Sequence, residues 1–203
     1  MPENQKSQAC CDDEIIESVR SGNNEDFALL IEKYGQKIYH FILRMVKDAD
    51  EAKNISQEVF TNVFAGLPRY KCQGNFQAFV FRAAKNTTLN HLNRQKRLVF
   101  FSSLLNKGEQ FDTGELSAES ADPEESYRRR QREDQVSEAL SRLKENQRLA
   151  LVLKVYLDLS YKEIAGITGW STPKIETLIS RAKSALKKDL MLQEKRKRNV
   201  YNK

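Results

Sequence analysis

Residues Ser160 to Leu186 read SYKEIAGITGWSTPKIETLISRAKSAL, and the reading of this stretch decides the fold. Ser160 is followed three positions later by Glu163, the spacing of a capping box, in which each residue satisfies an otherwise unbonded N–H of the other at a helix start. The short helix YKEIAGI then turns Ile164 and Ile167 inward and stops at Thr168-Gly169, where glycine permits a left-handed turn. Ser171 is placed to cap a second helix, and Pro173 is tolerated in its first turn. Ile175, Leu178 or Ile179, Ala182 and Leu186 form the inner stripe of that helix. Two capped helices joined by a tight glycine turn predict a helix-turn-helix, whose second member can enter a major groove. The same pattern fits an ordinary hairpin in a helical bundle, so alone it leaves DNA binding open.

The outward positions of the second helix are Thr172, Lys174, Glu176, Thr177, Ser180, Arg181, Lys183 and Ser184. Lys174 and Arg181 can reach phosphates or guanine edges, while Thr177 and Ser180 can contact bases or backbone. Glu176 can accept from a cytosine amino group, but beside phosphates a carboxylate is more often repelled. Cations are few for a tight independent binder. The sequence therefore predicts a reading helix that is weak on its own.

Upstream, helix follows helix. DDEIIESVRSG carries Ile15, Ile16 and Val19 and ends at Gly22, a C-cap position. EDFALLIEKYGQKIYHFILRMV sets Phe27, Leu30, Ile31, Tyr34, Ile38, Phe41, Ile42 and Met45 at three- and four-residue steps. DADEAKNISQEVFTNVFAGL repeats the pattern with Ala52, Ile55, Val59, Phe60, Val63 and Phe64, then stops at Gly66 and Pro68. A longer helix is predicted from about Phe76 to Arg94, with Phe76, Phe79, Val80, Ala83, Ala84 and Thr87 inside. From Val99 to Ser126 periodicity fails and Gly, Ser, Asp, Glu and Pro accumulate, the composition of a flexible acidic linker. Periodicity then returns, and the tail QEKRKRNVYNK is basic and reads as frayed. No strand alternation is evident. The expected architecture is all-α, with two small helical domains at 25–98 and 127–190. A leading segment and first helix cover 1–24, the linker 99–126 and the basic tail 191–203.

Composition narrows the function. The 203 residues hold 34 Lys and Arg against 28 Asp and Glu, a net charge of +6. No apolar run approaches the roughly 20 residues of a membrane span, and MPENQKSQACCDDE lacks the basic start and apolar core of a secretory signal. The expectation is a cytoplasmic protein without membrane attachment. Cys10, Cys11 and Cys72 form neither a disulfide framework nor a metal spacing. The distribution of charge says more than its sum. From Val59 to Gly108 there is no Asp or Glu, while Arg69, Lys71, Arg82, Lys85, Arg94, Lys96, Arg97 and Lys107 fall inside. Missing counter-charges favour a phosphate-binding surface over a solvated face.

The same segment interleaves Tyr70, Phe76, Phe79 and Phe81 with Lys71, Arg82 and Lys85, a composition that suits unstacked bases on aromatic faces. Core packing is the competing reading, and it is preferred for Phe76 and Phe79 on the inner stripe. The loop KCQGN has short polar side chains and a glycine, which let a backbone approach an extruded base. Asn86, Asn90, His91 and Asn93 can read base edges; solvent exposure or capping accounts for them about equally well.

These residues carry a resemblance. ADEAKNISQEVFTNVFAGLPRY, FQAFVFRAAKNTTLNHLNRQKR and LKENQRLALVLKVYLDLSYKEIAGITGWSTPKIETLISRAKSALKK, in that order, resemble a bacterial sigma factor of the extracytoplasmic-function (ECF) group of the sigma-70 family. The match runs from about Glu25 to Lys188 apart from the linker. It implies a promoter-specificity subunit of RNA polymerase. The first domain would be region 2-like, docking on the clamp helices of the largest polymerase subunit and opening the −10 element. The second would be region 4-like, binding the −35 element and the flap of the second-largest subunit. Carried over by position, Asn54, Gln57, Glu58 and Phe60 fall in the polymerase-docking helix. Lys71, Gln73, Gly74 and Asn75 form the loop that captures a flipped base. Asn86 and Asn90 lie on the helix beside it, with Arg82, Lys85, Arg94 and Arg97 as its cations. Ser171, Thr172, Lys174, Glu176, Thr177, Ser180, Arg181 and Lys183 fall on the −35 helix.

The sequence departs from the family pattern in places. Asn54 stands where an acid is common and Phe79 where tryptophan is. Glu176 and Leu178 replace two usual cations of the reading helix. Tethering to polymerase would let each DNA domain act with modest affinity; alternatively an accessory DNA-targeting protein delivers the complex. Members of the group are commonly held silent by an anti-sigma factor, so the resemblance leaves room for one. A stand-alone helix-turn-helix regulator is the competing class, but it gives the SQEVF helix no role. An enzyme acting on nucleic acid is the third. With two histidines and no phosphate loop, dinucleotide turn or zinc-ligand cluster, the sequence predicts no catalytic residue, no metal and no cofactor. The acid pairs Asp12/Asp13 and Asp48/Asp50 read as helix starts.

Overall fold

In the computed structural model, which describes residues 3–71, 75–105 and 135–201, the apolar spacing becomes helices in the expected order. α1 runs over Glu3–Arg20, α2 over Phe27–Val46, α3 over Ala49–Gly66 and α4 over Phe76–Leu105. Then come α5, described over residues 135–141, α6 at Glu145–Val155, α7 at Tyr161–Thr168 and α8 at Thr172–Tyr201. No strand occurs among the described residues, so the chain is all-α. It divides into two compact units, one on Met1–Thr113 with Gly166–Thr168 and one on Gly114–Ala165 with Gly169–Lys203.

In the first unit α2, α3 and α4 pack on one another, with α1 laid against them. Leu30, Ile38, Phe41 and Ile42 of α2 meet Ile55, Val59 and Val63 of α3 and Val80, Phe81 and Ala84 of α4, all buried. Each large side chain so buried contributes about 1.5–3 kcal/mol. The ends are set locally. Lys47 closes α2 in a left-handed conformation, φ 72°, and the Asp48 carboxylate accepts from the Glu51 N–H at 2.8 Å to open α3.

Two expectations fail in this unit. Asp12 does not start a helix: it lies inside α1, is buried, and accepts from Lys33 Nζ at 2.5 Å and Tyr34 Oη at 2.6 Å. Burial and the Asp12 carboxylate, in that order, raise the Tyr34 phenol far above its ordinary range, so it stays a donor. Phe81 does not await a base either. It is fully buried, edge-on to Phe41 at 6.0 Å, whereas Tyr70 is half-buried, tilted against Phe79 at 5.0 Å and edge-on to Phe76 at 5.5 Å.

In the second unit α6 is apolar on most sides, with Leu149 to Leu153 buried, and it packs on α8 through Ile175, Ile179 and Ala182. The inner-stripe alternative resolves in favour of Ile179; Leu178 is half-buried. The capping box is present, with Glu163 N donating to Ser160 Oγ at 3.3 Å and Ser160 N to Glu163 Oε2 at 2.7 Å. Gly169 adopts φ +74°, and its N–H reaches Ala165 O at 2.8 Å to close α7. Ile175 N–H donates to Ser171 O at 3.1 Å, so α8 begins where expected.

Both long helices exceed their expected limits. α4 continues past Arg94 to Leu105, and α8 past residue 190 to Tyr201. Neither stretch contains Gly or Pro, and both are rich in residues that tolerate a helix interior. Leu98 is 69% exposed, so propagation along the backbone, not packing, extends α4 there. Residues 106–126 of the expected linker lie outside the described residues.

Candidate nucleic-acid interface

α4 presents its polar residues at helical steps. Asn86, Asn90 and Arg94 follow one another at i, i+4, and all three are exposed. Opposite them α3 presents Glu58 and Asn62, again at i, i+4. Between the two helices lies a cleft of about 310 Å³ lined by Glu58, Asn62, Asn86, Asn90, His91 and Arg94, with Ala83 and Thr87 also in its wall. Asn62 Nδ2 donates to the buried Thr87 Oγ1 at 3.3 Å, which fixes one wall. His91 Nε2 stands 3.4 Å from the Glu51 carboxylate, whose other oxygen accepts from Gln95 Nε2. The cleft thus holds amide donors and acceptors, an imidazole, a guanidinium and the Glu58 carboxylate, with the Asn62–Thr87 pair fixed by its own hydrogen bond. That equipment can form hydrogen bonds with a polar ligand edge; among the described residues no group of three His, Cys, Asp or Glu could hold a metal ion.

The expected site residues sort clearly. Asn54, Gln57 and Glu58 are exposed on α3, and Glu58 belongs to the cleft wall. Phe60, expected with them, is buried at 8% exposure and packs edge-on to Phe27 at 6.4 Å, so it supports α3 from within. Arg82 and Arg97 are exposed and Lys85 half-buried on α4. Lys71 and Asn75 are exposed at the two ends of their loop; Gln73 and Gly74 lie outside the described residues. Sequence reasoning missed Asn62 and the role of Glu58. Their i, i+4 spacing on α3 was visible, but not that α4 would present Asn86 and Asn90 opposite.

On α8 every expected residue is exposed: Ser171, Thr172, Lys174, Glu176, Thr177, Ser180, Arg181 and Lys183. Two of them are engaged locally. Lys174 Nζ lies 5.0 Å from the Trp170 ring centroid, and Thr177 Oγ1 donates to Pro173 O at 2.8 Å. Some of this unit's charge serves structure. Arg142 reaches both Asp189 oxygens at 2.8 Å, which raises the guanidinium further above its usual range. Burial lowers Arg148 on α6.

No helix among the described residues is long and apolar enough to cross a membrane. Fold and surfaces together define an all-helical, two-unit protein in which a basic, amide-lined helical domain is followed in sequence by a helix-turn-helix. Residues 30–98 match the family model Sigma-70 region 2, and residues 133–186 match Sigma-70, region 4. The RNA polymerase sigma-H factor of Pseudomonas aeruginosa is 31% identical over 180 residues, covering 88% of this chain and 93% of the relative. The ECF RNA polymerase sigma-E factor of Escherichia coli is 28% identical over 181 residues, with 89% and 94% covered. Among solved structures, the sigma factor RpoE in complex with the anti-sigma factor NepR from Bartonella quintana superposes with a TM-score of 0.64 at 21% identity, covering 82% of this chain and 98% of that one. The chain belongs to the ECF group of the sigma-70 family. It is a promoter-specificity subunit of RNA polymerase.

Proposed function

We propose that this sigma factor divides a promoter between its two units, with the first doing most of the discriminating. α3, through Asn54 and Gln57, docks on the clamp helices of the largest polymerase subunit. The loop from Lys71 to Asn75 takes a base flipped from the −10 element, and the α3–α4 cleft reads a neighbouring edge through Asn86 and Asn90. Arg82, Lys85, Arg94 and Arg97 follow the phosphates of the opened strand. α8 lies in the duplex −35 element, and its unit rests on the flap of the second-largest subunit. The observation that carries this reading is the convergence of the amides on one cleft along a helix that carries no acid of its own, with Glu58 of α3 as the carboxylate in the cleft wall.

The protein works in the cytoplasm, without cofactor or metal, and catalyses no step itself. As the Bartonella neighbour was solved with an anti-sigma factor, a partner of that kind is part of the proposal. Mixing the chain with core polymerase tests the reading. A stoichiometric complex that starts transcription at sites core polymerase alone ignores is the expected result; no complex, with an intact fold, rejects it. Glu176 and the Lys174–Trp170 contact favour one second reading, in which an accessory DNA-binding protein brings the complex to its promoters. Under that reading, replacing Glu176 or Arg181 leaves the mapped starts unchanged, and shifted starts reject it.

A further inference from the structure

Trp170, the only tryptophan of the chain, stands in the turn between α7 and α8. Gly169, in its left-handed conformation, ends α7 just before it, and α8 begins two residues later at Thr172. The indole is half-buried, and Lys174 Nζ lies 5.0 Å from its centroid. At that distance the negative face of the ring attracts the ammonium. Helical side chains lean toward the N-terminus of their helix, so Lys174 reaches back over the turn that Trp170 occupies. The lysine needs such support. It stands in the first turn of α8, where the helix dipole disfavours a cation. α6 and α7 of the same unit open on Glu145 and Glu163, whereas α8 has no acid in its first turn.

The helical period of 3.6 residues sorts the exposed residues of α8 by edge. Lys174 and Arg181, seven positions apart, share one edge of the outward face. Thr177 and Ser180 run along its middle, and Glu176 lies with Lys183 on the far edge. A helix seated in a major groove turns its middle to base edges and its flanks to the sugar–phosphate strands. An ammonium has three donors, and a ring face covers only one side of it. Held over Trp170 at the end of its edge, Lys174 keeps its other side for a phosphate oxygen.

We propose that Trp170 is a positioning residue for −35 binding: it holds Lys174 toward a phosphate of the duplex, so that this cation adds affinity without sequence preference. The inference rests on the reading of α8 as the −35 helix. It gives the turn of the helix-turn-helix a part in binding, while Trp170 itself reads no base.

Holoenzymes reconstituted with the wild-type chain, Trp170→Leu, Trp170→Phe, Lys174→Met, Arg181→Ala and the double variant Trp170→Leu/Lys174→Met test it. Closed-complex affinity is measured across a salt series, on one promoter and on versions substituted in the −35 element. Lys174→Met should weaken binding alike on every −35 sequence and reduce the salt dependence by about one phosphate contact. Trp170→Leu keeps apolar bulk but has no ring face, and should weaken binding about threefold. Trp170→Phe should fall between it and the wild type. With Lys174→Met already present, Trp170→Leu should cost nothing further, the mark of a coupled pair. Equal loss with and without Lys174 would mean a merely structural role and overturn the proposal. Wild-type or tighter binding by Trp170→Leu would overturn it too, as would a Lys174→Met loss that varies with the −35 sequence. If Trp170→Leu does not fold, Trp170→Phe decides in the same cycle, and a loss that is absent or independent of Lys174 overturns the proposal. Should replacement of the whole −35 element and Arg181→Ala both leave affinity unchanged, the reading of α8 fails and the inference falls with it. If Arg181→Ala weakens binding and the Trp170 variants do not, only the role of Trp170 is lost.

Discussion

The cleft on the first unit and the exposed face of α8 are built in different ways. The cleft takes its walls from two helices, and part of it is fixed: Asn62 donates to Thr87, and His91 lies beside the Glu51 carboxylate, while the short amides Asn86 and Asn90 stand exposed between them. The α8 face comes from one helix with every candidate side chain exposed, one cation drawn over Trp170, and Glu176 among the rest. A preorganised constellation loses little freedom when it binds, whereas long exposed side chains must be ordered first. The contrast teaches where specificity belongs. Sharp discrimination fits the first unit, and tethered, shallow reading fits the second.

The largest effect should come from emptying the cleft. Replacing Asn86 and Asn90 together with alanine removes the two amides proposed to read base edges, a contact worth about 1–3 kcal/mol each. Promoter opening should fall about a hundredfold in a transcription assay while melting temperature holds, because both side chains are exposed. An unchanged opening rate would break the comparison at its stronger side.

The first unit's own rigidity comes next. Tyr34→Phe leaves Asp12 without its phenol donor and should cost about 2 kcal/mol. Hydrogen exchange should show this as faster opening of α1 and α2, with α6 to α8 unaffected. The folded pKa of Tyr34 lies above its ordinary 10.0, so this contribution is fully present below about pH 10 and is lost as pH rises beyond it. A titration from pH 6 to 9 should therefore show no loss of α1 protection from this group.

In the second unit, Ser160→Ala removes the capping box and should cost about 1 kcal/mol, read as lost protection at the start of α7. The smallest effect sharpens the contrast. Glu176→Gln should tighten binding to duplex −35 DNA about threefold at low salt, and the gain should shrink as salt screens it; fluorescence anisotropy at two ionic strengths reads both. A tenfold or larger gain would mean that α8 is a strong reader held back by one acid.

Much of this was legible because it is local. Helix spacing, the Ser160–Glu163 box, the Gly169 turn and the inward Ile175 and Ala182 each depend on residues within a turn or two. The family strings added the expected sites. What the sequence hid is long-range or permissive. Asp12 reads as a helix start until Tyr34 and Lys33 are seen beside it. Phe81 alternates with cations along the chain, and only the packing of α2 against α4 shows that it faces Phe41. The ends of α4 and α8 were misplaced because nothing in either stretch breaks a helix, while periodicity, the signal used to end them, reports packing only. Arg20 reaches acceptors 47 and 50 residues away, a pairing that no spacing rule can find.

The central claim is that the first unit discriminates more sharply than the second. Transcription by core polymerase with this chain, on a promoter library randomised at both elements and sequenced from its products, tests it most directly. The account predicts new start sites preceded by a steep base preference in the −10 element and a shallow one at −35. A steep −35 preference over an indifferent −10 element would contradict it.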